Sequence, residues 1–319
     1  MSDQVRDAYD VVVIGGGAAG LNGALQLARS RRPVLVVDAG QQRNRPAPAV
    51  HGLLGHDGRP PAELLSRGRD EVRGYGGEIV TGEVTAVGGE LDRGFTVILG
   101  DGRVVAARRL LVTSGLVDNL PDIPGLRERW GRDVVHCPYC HGWEVRDQPI
   151  GVLASGPLSV HQALLFRQLS DDVVYFRRGT VLDDAAATRL AARGIRVVDG
   201  EVSAVVIADD HLSGLRLADG TVVPRQALAV AARMTARAGF LADLGLKASE
   251  HPGGMGSYLP ADPTGRTEVP GVWAAGNVTD LAAQVGASAA AGALAGAVIN
   301  ADLVEEETRQ AVAVAAQVG

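Results

Sequence analysis

The sequence predicts an α/β fold of two similar strand–helix–strand units, the second inserted in the first. Three observations predict it. An apolar strand at 11–14 runs into Gly15-Gly16-Gly17-Ala18-Ala19-Gly20, which opens a helical pattern. The same order recurs at 150–176. The two passes also share a tail. Asp101-Gly102-Arg103-Val104-Val105 matches Asp219-Gly220-Thr221-Val222-Val223, and Leu110-Leu111-Val112 matches Leu228-Ala229-Val230 at the same offset. Each pass has the parts of a Rossmann-like, three-layer ββα unit.

The elements follow in order. After the strand at 11–14 comes a helix over 18–29, then a strand at 34–37 that ends at Asp38. A polar, proline-containing loop covers 41–61, and 62–75 reads as a helix. Strand-like segments follow at 78–87, 95–99 and 104–106, with Gly100-Asp101-Gly102 as a hairpin turn. Residues 110–113 form a buried strand that enters Ser114-Gly115. The second pass has a strand at 150–154, a helix over 158–169 and a strand at 173–176. Residues 270–280 and the helix after them resemble the closing part of a flavin domain, which implies a return to the first unit. The expected division is therefore 1–117 with 248–319 for the first unit, and 118–247 for the insert.

At 319 residues the chain is long enough for two ordinary cores, and 46% hydrophobic with 21% charged residues suits a soluble globular protein. Net charge is −6 and no basic stripe interleaves with aromatics, which argues against nucleic acid. Residues 1–10 are charged and polar rather than a signal peptide, and two cysteines make no disulfide framework, so a cytoplasmic protein is expected. Residues 281–299 carry no charge and are nearly long enough to span a bilayer. They are mostly Ala and Gly, with Gln284 and Ser288 inside, so a buried helix is expected and no membrane partner.

Gly15 permits a tight turn, Gly17 lets the backbone approach a pyrophosphate, and Gly20 lets helix pack on strand. The helix N-terminus then faces the phosphates. Asp38 stands 18 residues after Gly20, where a carboxylate can accept bonds from a ribose. Together these read as dinucleotide binding. The only cysteines stand in Cys137-Pro138-Tyr139-Cys140-His141-Gly142-Trp143-Glu144. Two intervening residues allow a reversible disulfide, and the motif often lowers a thiol pKa. A zinc site lacks a second Cys or His pair, so no metal is expected. Covalent haem attachment at Cys-x-x-Cys-His normally needs export. A redox pair is the reading that remains.

Near the C-terminal end, Trp273-Ala274-Ala275-Gly276-Asn277-Val278-Thr279-Asp280 resembles the flavin-binding stretch of two-domain disulfide reductases, with Asn277 in place of its Asp. Thr113-Ser114-Gly115 resembles their Thr-Gly crossover. With the glycine turn and the cysteine pair, the chain resembles the low-molecular-weight thioredoxin reductase family over nearly its whole length. The Cys-x-x-Cys-His-Gly-aromatic-Glu run is similar to the branch that closes disulfides in gliotoxin-, holomycin- and romidepsin-type natural products.

The resemblance implies bound FAD, with Gly15, Gly17, Ala18, Gly20, Asp38, Val84, Thr113, Gly115, Gly276, Asn277, Gln284 and Val285 as its contacts. It implies that Cys137 exchanges with substrate, that Cys140 is the sulfur nearer the flavin, and that the chain is a homodimer. His141 replaces the family's acidic acid/base, with His136, His51 and His56 as weaker candidates. The implied activity is oxidation of a small-molecule dithiol with dioxygen as acceptor. NADPH-dependent reduction of a thioredoxin-like protein is the alternative, and a flavin redox sensor without turnover the second.

The inserted unit speaks to the choice. Its turn reads Ala154-Ser155-Gly156-Pro157-Leu158-Ser159 where the reductases have Gly-x-Gly-x-x-Ala, and Pro157 removes an N–H near the phosphate site. The next strand ends Phe176-Arg177-Arg178-Gly179, with Leu182 where a further Arg holds the 2′-phosphate of NADPH. The lost groups make NADPH doubtful, and the surviving arginines keep it open. A structural role would leave Arg177 and Arg178 solvated or pair them with Asp171 and Asp172.

Overall fold

The computed structural model describes residues 6–318. Residues 1–5 of the expected charged N-terminal stretch, and residue 319, lie outside the described residues. The first unit runs through β1 (Ala8–Ile14), α1 (Ala18–Arg29), β2 (Val34–Asp38), α2 (Pro61–Gly74), β3 (Glu78–Thr81), β4 (Val84–Glu90), β5 (Gly94–Leu99) and β6 (Val104–Val112). A connector strand β7 (Leu116–Asn119) follows. The second unit holds β8 (Val134–Val135), α3 (Pro138–His141), β9 (Ile150–Leu153), α4 (Ser159–Phe166), β10 (Val173–Phe176), α5 (Asp184–Ala192) and β11 (Arg196–Val198). It continues through β12 (Val202–Ala208), β13 (His211–Leu217), β14 (Val222–Pro224) and β15 (Ala227–Val230). The chain returns through β16 (Arg233–Ala236), β17 (Ser249–Glu250), β18 (Gly256–Tyr258), β19 (Val272–Ala274) and α6 (Val285–Val318).

The first sheet orders its strands β3-β2-β1-β6-β5-β4, with β19 also on β6. β6 is long enough to serve two neighbours on one edge. Its first half pairs antiparallel with β5, from Ile98↔Val104 to Phe95↔Ala107. Its second half pairs parallel with β19, Val272↔Leu110 to Ala274↔Val112. The segment read as one strand at 78–87 is two, broken at Gly82-Glu83, with β3 and β4 on opposite edges. Conversely, the strands read at 104–106 and 110–113 are one.

Side-chain alternation puts the strands between two cores. Val11, Val13, Val34 and Val36 face α1 and α6, whereas Val12, Ile14, Leu35 and Val37 face the β4–β5 side. The second unit repeats the plan. Its sheet runs β11-β10-β9-β15-β8. Val173 and Tyr175 pack on the side of α4 and α5, and Val174 and Phe176 on the β12–β14 side.

The units are joined by a separate sheet, β17-β18-β16-β7, in which the outgoing β7 and the returning β16 pair antiparallel. Asp118, the expected outgoing hinge, sits within β7. The expected return at 248 needs correction. Ala236, Ala238, Leu241 and Leu246 already pack in the first unit's core, because β16 carries the chain back beside β7. We place the return near 232.

The uncharged segment at 281–299 becomes the first half of α6. Over Val285–Gln317 this helix is long and apolar enough to cross a membrane by length and composition. Its Gly292 lies so close to α1 that a Cβ there would stand 1.9 Å from the Ala19 carbonyl oxygen. Further along, Arg109 binds Asp302 and Glu306 at 2.7 and 2.5 Å, and Arg32 binds Glu307 at 2.6 Å. Small residues and ion pairs therefore dock the helix on the first unit.

Candidate active site

A cleft of about 830 Å³ lies between the units, within the ~300–1,000 Å³ usual for ligand sites. The first glycine turn, the loop after Asp38, α3, the second turn and the start of α6 all reach it. Of the expected site residues, Gly15, Gly17, Ala18, Asp38, Val84, Thr113, Gly115, Cys137, Cys140, His141, Asn277, Gln284 and Val285 line it. Gly20 and Gly276 stand behind it as packing positions.

The first turn has the form that a pyrophosphate needs. Gly15 has φ +112, and a Cβ there would lie 2.3 Å from the Thr113 carbonyl oxygen. A Cβ on Gly20 would lie 1.9 Å from the Gly15 carbonyl oxygen. Gly17 differs: nothing stands within 4 Å of its Cβ position. It caps α1 without a side-chain bond, so the helix N-terminus opens on the cleft. Thr113 locks the crossover by donating from Oγ1 to the carbonyls of Ile14 and Gly15 at 3.1 and 2.8 Å. Asp38 ends β2 in the cleft and accepts from Gly40 N–H and the Gln42 amide. Gly16 is a further required glycine, since a Cβ there would meet the Asp38 carboxyl at 2.6 Å.

The closing segment is positioned the same way. Gly276 has φ +79, and a Cβ would press on Ala19 at 2.8 Å. The Asn277 amide donates to the carbonyls of Asp280 and Ala283, which fixes the approach to α6. An aspartate there could not donate, so the replacement trades a charge for a structural bond. Gln284 and Val285 bring the start of α6 to the cleft wall.

Cys137 and Cys140 flank the first turn of the short α3. The Cys140 thiol donates to Cys137 Sγ across 2.6 Å. That bond, helped by the N–H groups of Cys140 and Tyr139 and the charge of Arg43, lowers the Cys137 pKa to about 6 against the pull of burial. Cys140 is pushed up, because its proton serves the thiolate beside it and burial adds to the effect. Arg43 is held by Asp118 through bonds of 2.8 and 2.7 Å.

The histidines separate by environment. Burial lowers the His141 pKa, the nearby Glu144 raises it and His51 lowers it. It therefore enters the cleft as a neutral base at neutral pH. His136 is structural: its Nδ1 lies 3.0 Å from the Val230 carbonyl, its ring packs on Trp130, and burial lowers its pKa. His51 lines the cleft and meets Glu144 at 3.3 Å. His56 is exposed on the same loop.

A family model for the pyridine nucleotide-disulphide oxidoreductases matches residues 9–301. The chain belongs to that family. It is 34% identical to thioredoxin reductase tcpT of Claviceps purpurea (strain 20.1), over 84% of this chain and 86% of that one. It is 30% identical to thioredoxin reductase sirT of Leptosphaeria maculans, over 92% and 93%. The solved structure of HlmI superposes with a TM-score of 0.93 at 47% identity, covering 100% of this chain and 99% of that one. This member of the disulphide oxidoreductases is therefore a thioredoxin-reductase-like flavoprotein that carries FAD and acts on sulfur groups.

The first turn fits that cofactor, with open space only at Gly17. Gly17→Val, whose φ of −81 any residue adopts, is expected to fold normally yet purify without flavin colour. Circular dichroism and visible absorbance on one sample check both halves.

The disulphide oxidoreductase's second turn is closed upon itself. Ser159, wholly buried, accepts from the N–H groups of Ser155 and Gly156 at 3.0 and 3.1 Å. Ser155 Oγ donates to the Ala231 carbonyl at 2.9 Å. Two of the turn's N–H donors are thus already used. The arginines have partners other than those expected. Arg177 pairs with Asp199 at 3.2 Å and Arg178 with Glu201 at 3.7 Å. Asp171 and Asp172 instead bind Arg167 and Arg225, because the loop after β11 lies closer to the arginines. Leu182 packs against the core.

Sequence reasoning missed Gly16, Arg43, Glu144 as a partner of His51, and the closure by Ser159. Gly16 stood in a glycine run and could have been found from the neighbouring Asp38. Arg43 and the His51–Glu144 contact join segments distant in the chain, whereas the closure by Ser159 is local but has no period or motif to mark it.

Proposed function

We propose that the protein is a dithiol oxidase. It closes a disulfide in a small molecule, with dioxygen as final electron acceptor and hydrogen peroxide as product. The observation that carries this reading over NADPH-dependent reduction is the second turn. Pro157 lacks a donor, Ser159 occupies two more, and Asp199 pairs with Arg177.

The sulfur pair performs the exchange. With Cys137 and Cys140 joined, a substrate thiolate attacks Cys137 Sγ, and Cys140 leaves with the electron pair of the broken bond. The second substrate thiolate then attacks the substrate sulfur of the mixed disulfide and expels Cys137. Its pKa of about 6 makes Cys137 the better leaving group. The substrate loses two electrons and two protons, and the pair gains the electrons. His141, neutral and half-buried next to Cys140 in the chain, accepts a thiol proton. The bound FAD supplies the two-electron relay to dioxygen. A homodimer in the cytoplasm is part of the same proposal.

Oxygen uptake tests it. A small dithiol such as dithiothreitol is expected to drive oxygen consumption with one peroxide formed per disulfide. Dithiol oxidation without oxygen uptake would contradict the oxidase reading.

A further inference from the structure

Resting on that reading, one group at the cleft remains without a role. His51 belongs to the loop after Asp38, far in sequence from the sulfur pair. Its Nε2 lies 3.3 Å from Glu144 Oε1, and its Nδ1 lies 3.4 Å from Asp57 Oδ2. Asp57 in turn accepts from the Gly52 N–H at 2.9 Å, which holds the loop around the ring. Glu144 is the last residue of the run that begins at Cys137, and its charge also reaches His141. His51 and His141 both line the cleft that contains both sulfurs. The titratable groups facing this pair are Asp57 from the same loop and Glu144 after α3, with Cys137 and Cys140 in the cleft wall.

We propose that His51, oriented by Glu144 and Asp57, is a second base of the dithiol site. Two thiols must each lose a proton before two sulfur–sulfur bonds can form in turn, and one imidazole holds only one proton. His141 shares the helix of the sulfur pair and serves the thiol that attacks Cys137. His51, on the loop after Asp38, serves the second thiol, which resolves the mixed disulfide. In balance, the Cys137–Cys140 bond breaks and the substrate disulfide forms. The pair takes two electrons, and one proton goes to each histidine. Glu144 is a positioning residue that orients the His51 ring, and its charge also reaches His141.

The test is rapid-quench mixing of oxidised holoprotein with dithiothreitol without oxygen, followed by intact-mass measurement. In wild type the Cys137 mixed disulfide is expected to be short-lived. His51→Gln should form it at the wild-type rate but resolve it ~10²-fold more slowly, so that it accumulates. Glu144→Gln should give a smaller accumulation, again with adduct formation at the wild-type rate. With the monothiol 2-mercaptoethanol, adduct formation by His51→Gln should match wild type. Normal resolution by His51→Gln, or equal slowing of adduct formation with both thiols, would overturn the role of His51 alone. A wild type that forms no adduct with either thiol would instead overturn the proposed function, and this inference with it.

Discussion

Cys137→Ser and Cys140→Ser are each expected to abolish dithiol turnover while FAD stays bound. Both sulfurs line the cleft, and the exchange begins at the bond between them. The two losses should look different. In the reduced wild type the negative charge sits on Cys137, with a pKa of about 6 because Cys140 donates to it. Iodoacetamide should therefore alkylate Cys137 in preference to Cys140 at neutral pH. The rate should fall about tenfold per unit as pH drops below 6, since the thiolate exists only above its pKa. Cys137→Ser removes the neighbour that holds the Cys140 proton, so Cys140 should become easier to ionise. A long-wavelength charge-transfer band with the flavin is expected in that variant and not in Cys140→Ser. Exchanged spectra would reverse the assignment of inner and outer sulfur. Undiminished turnover in either variant would remove the pair from the mechanism.

His141→Ala is expected to keep FAD and the sulfur pair but to lose ~10²–10⁴ in turnover, the usual contribution of a positioned acid/base. Burial holds its pKa below the ordinary imidazole value, so the base form is present at neutral pH. Wild-type turnover should fall as pH drops through that lowered pKa, and the variant should lack that limb. A loss of less than about threefold would move the first proton transfer away from His141.

Most of the fold was legible because its signals are local. The strand at 11–14, the glycines at 15, 17 and 20 and the acid at 38 lie within one strand–helix–strand pass, where period and turn chemistry suffice. The second unit was legible as a weaker copy of the first. The break at Gly82 was hidden because β3 and β4 are both strand-like and only pairing partners separate them. The return near 232 was hidden because β16 is defined by its pairing with β7 across the whole insert. At the site, the sulfur pair and His141 came from one short motif. Arg43, Asp118 and the contact of His51 with Glu144 depend on the loop folding back over α3, which no periodicity encodes. The second turn lay between these cases. Its missing glycine was visible in sequence, but the satisfaction of its N–H groups by Ser159 was not.

The central claim is the direction of electron flow, and anaerobic titration of the bound flavin tests it most directly. One portion of holoprotein receives dithiothreitol and another receives NADPH, each followed by visible absorbance. The account predicts stoichiometric bleaching by the dithiol, reversed on admitting air with release of peroxide. NADPH should bleach the flavin slowly or not at all, because Ser159 and Pro157 remove N–H donors from the second turn and Asp199 pairs with Arg177. Rapid stoichiometric reduction by NADPH, followed by turnover of a thioredoxin, would contradict the account and make the protein a reductase.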